Sequence, residues 1–570
     1  MYVELPRIAS TISSHRAIQM EKAVLNSSST KTRESVWETV ADAASLDASN
    51  MTVSSFQSDM IDILPDSWVV VSLSLSESKE EITFSKMRAH ESPFVISVPL
   101  TRQHALECNE VSYGYFDVKQ ELEDIIHEIN QTSQNSKDLK TKTAKSAWWE
   151  TRTALDARLQ ELLQNIENIW LGGFRSILSP RSPALEHLAR LNESLQNSLD
   201  KHLPSRNGTG ATKRSPRIAL SAHVLQLFTS LGYPSECNDV DEQVQDLLYF
   251  VIDILQFKGE RNAYDEIDFD ILVIETLDAL RQFHKIQQEC ETTESESHVI
   301  LVVDKHLHCF PWESLPCMEG KSVSRVPSMV FLRERILQQR QPASQCRELH
   351  KPLDARRVNR HDGAFILNPS GDLVNTQKNF EAPLQSVPGW EGIIQRAPEE
   401  SEFKGCLEDH DIFLYFGHGS GGQYIRSRTI KKLEKCAVAL LMGCSSGVMT
   451  EAGEFESYGT PLDYMHAGSP AVLANLWDVT DKDIDRFAES VLQKWGLFEK
   501  KQQPGLRSPV KKGGRQKGKQ KAETDIVQQD VRSQPVSLDT AVAKSREACI
   551  LRYLNGAAPV IYGVPVILDG

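Results

Sequence analysis

The sequence predicts an α/β fold: a sheet of mostly parallel strands flanked by helices, preceded by a mainly helical region with a small sheet attached. Short continuous apolar runs recur after residue 298, and such runs are typical of strands buried on both faces of a parallel sheet. The segments between these runs are long enough for crossover helices. Before residue 298, apolar residues recur every three or four positions, which indicates amphipathic helices.

Length and composition narrow the class of protein before any motif is considered. The 570 residues are enough for about two to four domains, and 40% hydrophobic with 25% charged residues is ordinary for a globular chain. The net charge of −15 argues against a general nucleic-acid binder. There is no apolar run of about 18 residues and no basic start followed by an apolar stretch, so we expect neither a membrane span nor a secretory signal.

The ten cysteines are scattered along the chain without CxxC pairs. In a chain without an export signal, this pattern favours free thiols in a reducing compartment. A structural zinc site would need closely spaced Cys or His pairs, so we expect no metal cofactor.

Periodicity divides the first half of the chain. Residues 1–60 are rich in Ser and Thr, and we expect them to be mobile. Residues 61–295 form the mainly helical region, in which β-branched alternation predicts two strands, at 68–75 and 94–100. The apolar spacing predicts helices at 115–129, 148–170, 184–203, 221–231, 243–257 and 271–286, and the polar stretches 133–142 and 204–216 are predicted linkers.

Residues 296–570 form the predicted α/β domain. Its strands are predicted at 299–303, 364–367, 412–416, 437–442, 471–476 and 560–567. Two polar stretches without apolar periodicity, 338–362 and 500–535, are predicted to be disordered loops inside this domain.

Two of the predicted strands end in residues that carry chemistry. The run DIFLYF is followed by GHGSGG, which contains His418, and the run AVALLM is followed by GCSSG, which contains Cys444. The carboxyl ends of parallel strands meet at one edge of a sheet, so the two side chains should lie over one cleft. A thiol nucleophile needs a base and backbone N–H donors for the oxyanion, and the N–H groups of Gly419 and Cys444 are the natural donors. A helix starting after Cys444 would also favour the thiolate.

Simpler interpretations remain for each residue alone. A single Cys after a strand is more often packed in the core than reactive, and Cys309, Cys406 and Cys436 are interpreted in this way. A His and a Cys that each follow a predicted strand directly, with glycines on both sides, instead favour a catalytic role for both residues.

The motifs HGSG and MGCSSG resemble those of the caspase-type cysteine peptidases, and within that clan the separases. Five segments resemble separase blocks in the separase order, followed by VIYGVPV near the C-terminus: 310–328, 413–425, 440–447, 458–472 and 474–487. The resemblance is strong over about 295–495, whereas the helical half resembles the substrate-binding, or pseudo-protease, region of separases only in general character. It implies a caspase-like sheet.

The resemblance also implies an activity. Separases cut the kleisin subunit of cohesin after arginine and so release sister chromatids at anaphase. Carried onto this chain, Cys444 would be the nucleophile and His418 the general base. A third catalytic residue is not evident, because Asp411 is separated from His418 by the length of a strand. The resemblance further implies securin as an inhibitory pseudosubstrate and a location in the nucleus and cytoplasm, with spindle-pole association.

Cleavage after arginine requires a carboxylate that pairs with the guanidinium. The block NLWDVTDKDIDRF offers Asp478, Asp481, Asp483 and Asp485, of which we favour Asp485 and then Asp478. The alternative is that these aspartates cap or solvate the helix that follows.

Other features of the chain suggest weaker hypotheses. Separase substrates tend to carry an acidic residue three positions before the arginine. Arg325 could bind this acidic residue or could be structural, and Glu313 beside Trp312 could also be structural.

The basic run 500–521 is a solvated loop, a nuclear-import signal or a nucleic-acid contact, and Ser508 within it fits a proline-directed kinase site. The sequence DARR suggests self-cleavage after Arg357.

Separases are usually far longer than this chain, so it is a fragment or an unusually short version of one. Two rival functions are an inactive scaffold, against which the presence of both His418 and Cys444 argues, and another peptidase of the same clan, against which the WDVTDKDIDRF block argues.

Overall fold

The computed structural model describes residues 52–100, 113–135, 141–180, 183–207, 217–235, 240–289, 297–340, 355–453, 455–499 and 535–569. The predictions for residues up to 51, for the basic run 500–521 and for Ser508 lie outside these residues. Within them, no helix has the length and apolarity that crossing a membrane requires.

Fifteen strands lie within the described residues: β1 (Trp68–Leu75), β2 (Glu81–Met87), β3 (Phe94–Pro99), β4 (His298–Val303), β5 (Ser322–Val326), β6 (Arg356–Asn359), β7 (Gly363–Leu367), β8 (Trp390–Ile394), β9 (Ile412–Phe416), β10 (Val438–Leu441), β11 (Thr450–Ala452), β12 (Phe455–Tyr458), β13 (Ala471–Asn475), β14 (Pro559–Gly563) and β15 (Val566–Asp569). Eleven of them form one sheet in the order β3-β2-β1-β4-β5-β14-β13-β10-β9-β7-β8. The mostly parallel sheet between helices confirms the predicted fold class.

The helices of the described residues are α1 (Val53–Phe56), α2 (Tyr115–Asn135), α3 (Lys142–Asn165), α4 (Leu185–His202), α5 (Pro204–Asn207), α6 (Ala222–Thr229), α7 (Asp241–Phe257), α8 (Phe269–Glu289), α9 (Met329–Arg340), α10 (Val374–Gln385), α11 (Glu400–Glu408), α12 (Ser427–Ile430), α13 (Thr460–His466), α14 (Asp481–Trp495) and α15 (Leu538–Ala543). In the first half, α8 packs against α4 and α7, and α2 packs against α3. These helices follow the predicted apolar spacing.

The sheet joins the two halves of the chain. Strand β1 of the first half pairs in parallel with β4 over six residues, from Trp68 opposite His298 to Leu73 opposite Val303. All six residues of β4 are buried, as expected for a strand covered on both faces. The predicted domain boundary near residue 295 therefore does not divide the sheet, because strands from both sides of this boundary are paired in it.

Several strands were missed by the sequence analysis, and β5 shows why. Its side chains include Ser324 and Arg325, yet both are fully buried. The ring of His298 in β4 lies 2.8 Å from Ser322 Oγ and 2.9 Å from Ser324 Oγ, so the polar groups are satisfied inside the sheet. Strands β2 and β8 also lack continuous apolar runs.

Two predictions about the second half are corrected. The predicted strand 560–567 is two strands, β14 and β15, separated by Val564 and Pro565, and Gly563 at the end of β14 has φ +123°. The polar stretch 338–362 is not entirely loop, because α9 extends to Arg340 and β6 pairs in parallel with β15. Residues 341–354 of that stretch lie outside the described part of the chain.

Candidate active site

The register of the central strands brings the two candidate catalytic residues to one edge of the sheet. Strands β9 and β10 are parallel neighbours in which Tyr415 lies opposite Leu441. Three residues beyond this pair, the register reaches His418 on one chain segment and Cys444 on the other. Strand β7 pairs with the other side of β9, with Leu367 opposite Phe416, so its following loop opens at the same edge.

A close backbone contact holds these two loops together. A Cβ at Gly443 would lie 1.9 Å from the carbonyl oxygen of Gly419 and 2.6 Å from that of Gly417. Only glycine fits this approach, and Gly419 itself has φ +60°, a conformation that favours glycine. The glycines that flank His418 and Cys444 therefore permit the two loops to touch.

The segment after Cys444 is a turn and not a helix, so the thiolate gains no support from a helix N-terminus at this point. Ser445 has φ +51°, and its N–H donates to the carbonyl of Trp477 at 3.2 Å. The side-chain amide of Asn475 donates to the carbonyl of Gly443 at 3.0 Å. The thiol is thus presented by a strained turn that the end of β13 supports.

The surroundings of Cys444 favour the thiol over the thiolate. Its Sγ donates to the carbonyl oxygen of Val479 at 3.2 Å. Burial raises the pKa of the thiol to about 11, and the nearby carboxylates of Asp478 and Asp481 add to the increase. Deprotonation must therefore be coupled to substrate binding or to a base.

The candidate base, His418, has a partner that the sequence analysis did not identify. Its Nε2 lies 2.8 Å from Oδ2 of Asp372, in the loop after β7. The backbone carbonyl of His418 accepts hydrogen bonds from Tyr415 Oη at 3.0 Å and Gln423 Nε2 at 3.3 Å. Asp411 lies at the other end of β9 and pairs with Lys435 at 2.8 Å.

A signal for Asp372 was present in the sequence. The predicted strand 364–367 is followed by NPSGD, a turn sequence that ends in a carboxylate. Applying the same strand-end argument to this third strand would have placed Asp372 at the edge that holds His418 and Cys444.

The two predicted oxyanion donors are the backbone N–H groups of Gly419 and Cys444. Among the described residues, neither the N–H of Gly419 nor that of Cys444 donates a hydrogen bond to another group. Their role in binding an oxyanion stays a prediction.

Of the predicted arginine-binding carboxylates, Asp485 lies in the wall of a groove between α10 and α14. The groove has a volume of about 790 Å³ and is also lined by Asn379 and Phe380. Asp485 is 6% exposed and accepts hydrogen bonds from Thr376 Oγ1 at 3.1 Å and Asn379 Nδ2 at 3.2 Å. Burial raises the pKa of its carboxyl to about 6, despite these two donors.

The other aspartates of the block have structural partners. Asp478 accepts a hydrogen bond of 2.5 Å from Ser445 Oγ, so it supports the turn that carries the thiol. Asp483 is buried and pairs with Arg486 at 2.6 Å, while Asp481 begins α14. The alternative interpretation, in which these aspartates lie at the start of the following helix, therefore describes Asp481 and Asp483.

The prediction that Arg325 contacts an acidic substrate residue is wrong. Arg325 is fully buried and binds both carboxylate oxygens of Glu313, at 2.6 and 2.7 Å. Its remaining donors bind the carbonyl oxygens of His308 and Phe310, both at 2.7 Å. The guanidinium is therefore used entirely inside the protein, next to the buried corner formed by Trp312.

The bond suggested for self-cleavage lies within a paired strand. Arg357 is in β6, opposite Ile567 of β15, and its guanidinium pairs with Asp569 at 2.8 Å. A peptidase binds its substrate as an extended single strand, so cleavage after Arg357 would require β6 to leave its partner.

Comparisons with known proteins identify the family to which the chain is similar. The model of the family "Separin, protease domain" matches residues 77–484. Separin of Emericella nidulans is 46% identical over 510 residues, which cover 90% of this chain and 23% of that protein. Separin of Schizosaccharomyces pombe is 41% identical over 516 residues, covering 90% of this chain and 26% of that protein. The chain thus spans about a quarter of the length of these curated relatives.

The solved structures give the same result. The Saccharomyces cerevisiae separase–securin complex at 2.6 Å resolution superposes with a TM-score of 0.76 and 31% identity, covering 97% of this chain and 33% of that chain. This similarity extends over both the helical half and the half that carries Cys444.

Proposed function

The chain belongs to the separin protease-domain family, and on that basis we propose that it is a cysteine endopeptidase that cleaves proteins after arginine. The observation that carries this proposal is the register of β9 and β10, which brings His418 and Cys444 to one edge of the sheet. A thiol and an imidazole at one edge of the sheet, beside two backbone N–H groups that donate to no other residue in the described part of the chain, are the parts that acyl transfer to a thiol requires.

The reaction begins with proton transfer. When a substrate enters, the Cys444 thiol leaves the carbonyl of Val479 and its proton passes to His418. The thiolate attacks the carbonyl carbon of the arginine residue, and the N–H groups of Gly419 and Cys444 bind the oxygen that becomes negative. The C–N bond then breaks as His418 returns the proton to the leaving amine, and a water activated by His418 hydrolyses the thioester.

Asp485 is our choice for recognition of the arginine side chain. Its carboxylate is buried and is bonded to two neutral donors, Thr376 and Asn379, without an ion pair among the described residues. A guanidinium would supply the missing positive charge and could bind both carboxylate oxygens. Asp478 is the weaker candidate, because its carboxylate already holds Ser445.

The natural substrate and inhibitor follow from the family. We assign the kleisin subunit of cohesin as substrate, so that cleavage releases sister chromatids at anaphase. A related structure was solved as a complex with securin, which supports securin as the inhibitory partner of this chain. The location in the nucleus and cytoplasm stays a prediction that fluorescence microscopy of the tagged protein can test.

The proposal is tested with a kleisin-derived peptide that has an acidic residue three positions before its arginine. The 570-residue protein is compared with its Cys444→Ser variant, and the peptide with versions that carry alanine or lysine in place of arginine. We expect cleavage after arginine by the wild type alone, at a site located by mass spectrometry. Cleavage by Cys444→Ser, or equal cleavage of the alanine peptide, would refute the assignment.

A further inference from the structure

We propose that Asp372 is a positioning residue for His418, which fixes the imidazole so that Nδ1 faces the thiol of Cys444. This inference rests on the proposed function above, since it assigns Asp372 a part in the same proton transfer. Its starting point is the 2.8 Å contact between Asp372 Oδ2 and His418 Nε2.

The chemistry of the contact determines where the imidazole proton lies. An ionised carboxylate only accepts hydrogen bonds, so Nε2 must be the nitrogen that carries the hydrogen. In a neutral imidazole the other nitrogen, Nδ1, then has the free lone pair. A base needs that lone pair to accept the thiol proton, and without Asp372 both tautomers would be populated.

The loop that carries Asp372 is held by its own hydrogen bonds. Asn368 is fully buried with φ +54°, its Oδ1 accepts from Leu373 N at 2.9 Å and its Nδ2 donates to Gln377 Oε1 at 2.8 Å. Gly371, with φ +79°, donates its N–H to the carbonyl of Asn368 at 3.1 Å. The carboxylate is therefore presented by a preformed loop whose shape does not depend on His418.

The same loop is attached to the segment that carries the base. The N–H of Asn368 donates to the carbonyl oxygen of Phe416 at 2.8 Å, two residues before His418. Strands β7 and β9 are paired up to this point. The start of the loop that carries Asp372 is thus anchored by backbone hydrogen bonds to the segment that carries His418, which favours a constant orientation of the base.

The contact is suited to orientation rather than to stability. The side chains of His418 and Asp372 are 49% and 51% exposed. Pairs that are this accessible to water contribute little to folding free energy. Removal of Asp372 should therefore change the imidazole and leave the melting temperature almost unchanged, which separates this role from a structural one.

One short segment also connects the base to the arginine carboxylate. Thr376, which donates to Asp485, is four residues after Asp372, in the first turn of α10. The segment therefore supports His418 at its start and Asp485 one turn later. Because the described hydrogen bonds to Asp485 come from Thr376 and Asn379, loss of Asp372 should affect turnover and not arginine binding.

The test compares Asp372→Ala and Asp372→Asn with the wild type, using the arginine peptide to measure kcat and KM separately. Asp411→Ala is the matched control, because Asp411 is a carboxylate at the opposite end of β9 that pairs with Lys435. For Asp372→Ala we expect kcat to fall about 100-fold with KM within about twofold. Asp372→Asn should retain more activity, since its amide oxygen can still accept from Nε2, and the control should stay within about twofold of wild type.

A second readout does not depend on activity. In protein with ¹⁵N-labelled histidine, the His418 signal is assigned by its absence in His418→Ala, and we expect the Nε2–H tautomer in the wild type and a mixture in Asp372→Ala. Unchanged kcat and an unchanged tautomer in Asp372→Ala would overturn the inference. A rise in KM with constant kcat, or an equal loss in the Asp411 control, would also overturn it. If the wild type cleaves but Asp372→Ala cleaves equally well, only this inference fails; if the wild type does not cleave, the proposed function fails while the tautomer still tests the contact.

Discussion

Replacing Asp485 by Asn should make the protein more stable and at the same time abolish its preference for arginine. The carboxylate is 6% exposed, and burial raises its pKa from 3.8 to about 6. An amide of the same shape keeps an oxygen that can accept from Thr376 and Asn379, but it carries no charge that has to be buried.

The size of the stability gain follows from the shift in pKa. A difference of about two units at 1.36 kcal/mol each corresponds to a cost on the order of 3 kcal/mol for ionised Asp485 in the folded protein. The contribution of the protonated carboxyl is fully present below pH 3.8 and is lost as the pH rises through about 6. The Asn variant and the wild type should therefore be similarly stable near pH 4 and differ most above about pH 7.

The loss of function is expected to be large. Removing one partner of a buried charge pair costs about 3 kcal/mol, which corresponds to about 100-fold in kcat/KM for the arginine peptide. Stability is measured by urea unfolding at several pH values, and kcat/KM with the arginine and alanine peptides. Glu489→Gln is the matched control, since Glu489 lines the same groove one turn later on α14.

Two results would contradict this reasoning. If Asp485→Asn is no more stable than the wild type at about pH 7.5, the carboxylate is better solvated than its burial indicates. If kcat/KM for the arginine peptide is retained, Asp485 does not bind the guanidinium, and the same measurement on Asp478→Asn becomes decisive.

Three further predictions concern the site and its surroundings. Gly443→Ala should reduce kcat more than about 100-fold, because the new Cβ would lie 1.9 Å from the carbonyl oxygen of Gly419. Gly405→Ala, within α11, is the control and should retain activity. The rate at which iodoacetamide alkylates Cys444, followed by mass spectrometry, should increase about tenfold per pH unit from about pH 7 to 10. The reason is that burial raises the pKa of the thiol to about 11, and a plateau of the rate near pH 8 would contradict this. Arg325→Met should destabilise the fold by about 3–5 kcal/mol in urea unfolding, because Glu313 is left buried without a partner, and should not alter the preference for an acidic substrate residue in a peptide series.

The sequence was most informative where side chains are buried on both faces of the sheet. Strand β9 was predicted at its observed limits, and β4 and β7 within one residue, because a short uninterrupted apolar run in an α/β chain is typical of a buried strand. Strand β5 could not be predicted, since its polar side chains are satisfied by partners outside the strand, such as Glu313 for Arg325.

For the candidate site, too, contacts between residues that are distant in the sequence could not be predicted. His418 and Cys444 could be predicted to lie at one edge of the sheet because each follows an apolar run and is flanked by glycine. Asp372 follows its strand by five residues, and its contact with His418 depends on how the loop closes through Asn368. The turn at Cys444 depends on Asn475 and Trp477, more than 30 residues later, which local sequence does not reveal.

Strand β14 lies between β5 and β13, and this order has a consequence for synthesis of the protein. Residues 322–326 and 471–475 have both emerged from the ribosome before residues 559–563 are made, yet β5 and β13 do not pair with each other and are joined only through β14. Until β14 is added, the part of the sheet that ends at β5 is not paired through any described strand with the part that carries His418 and Cys444. A nascent chain that has reached Cys444 therefore has its reactive groups but not its finished sheet, and proteolytic activity should appear only when translation has passed residue 563.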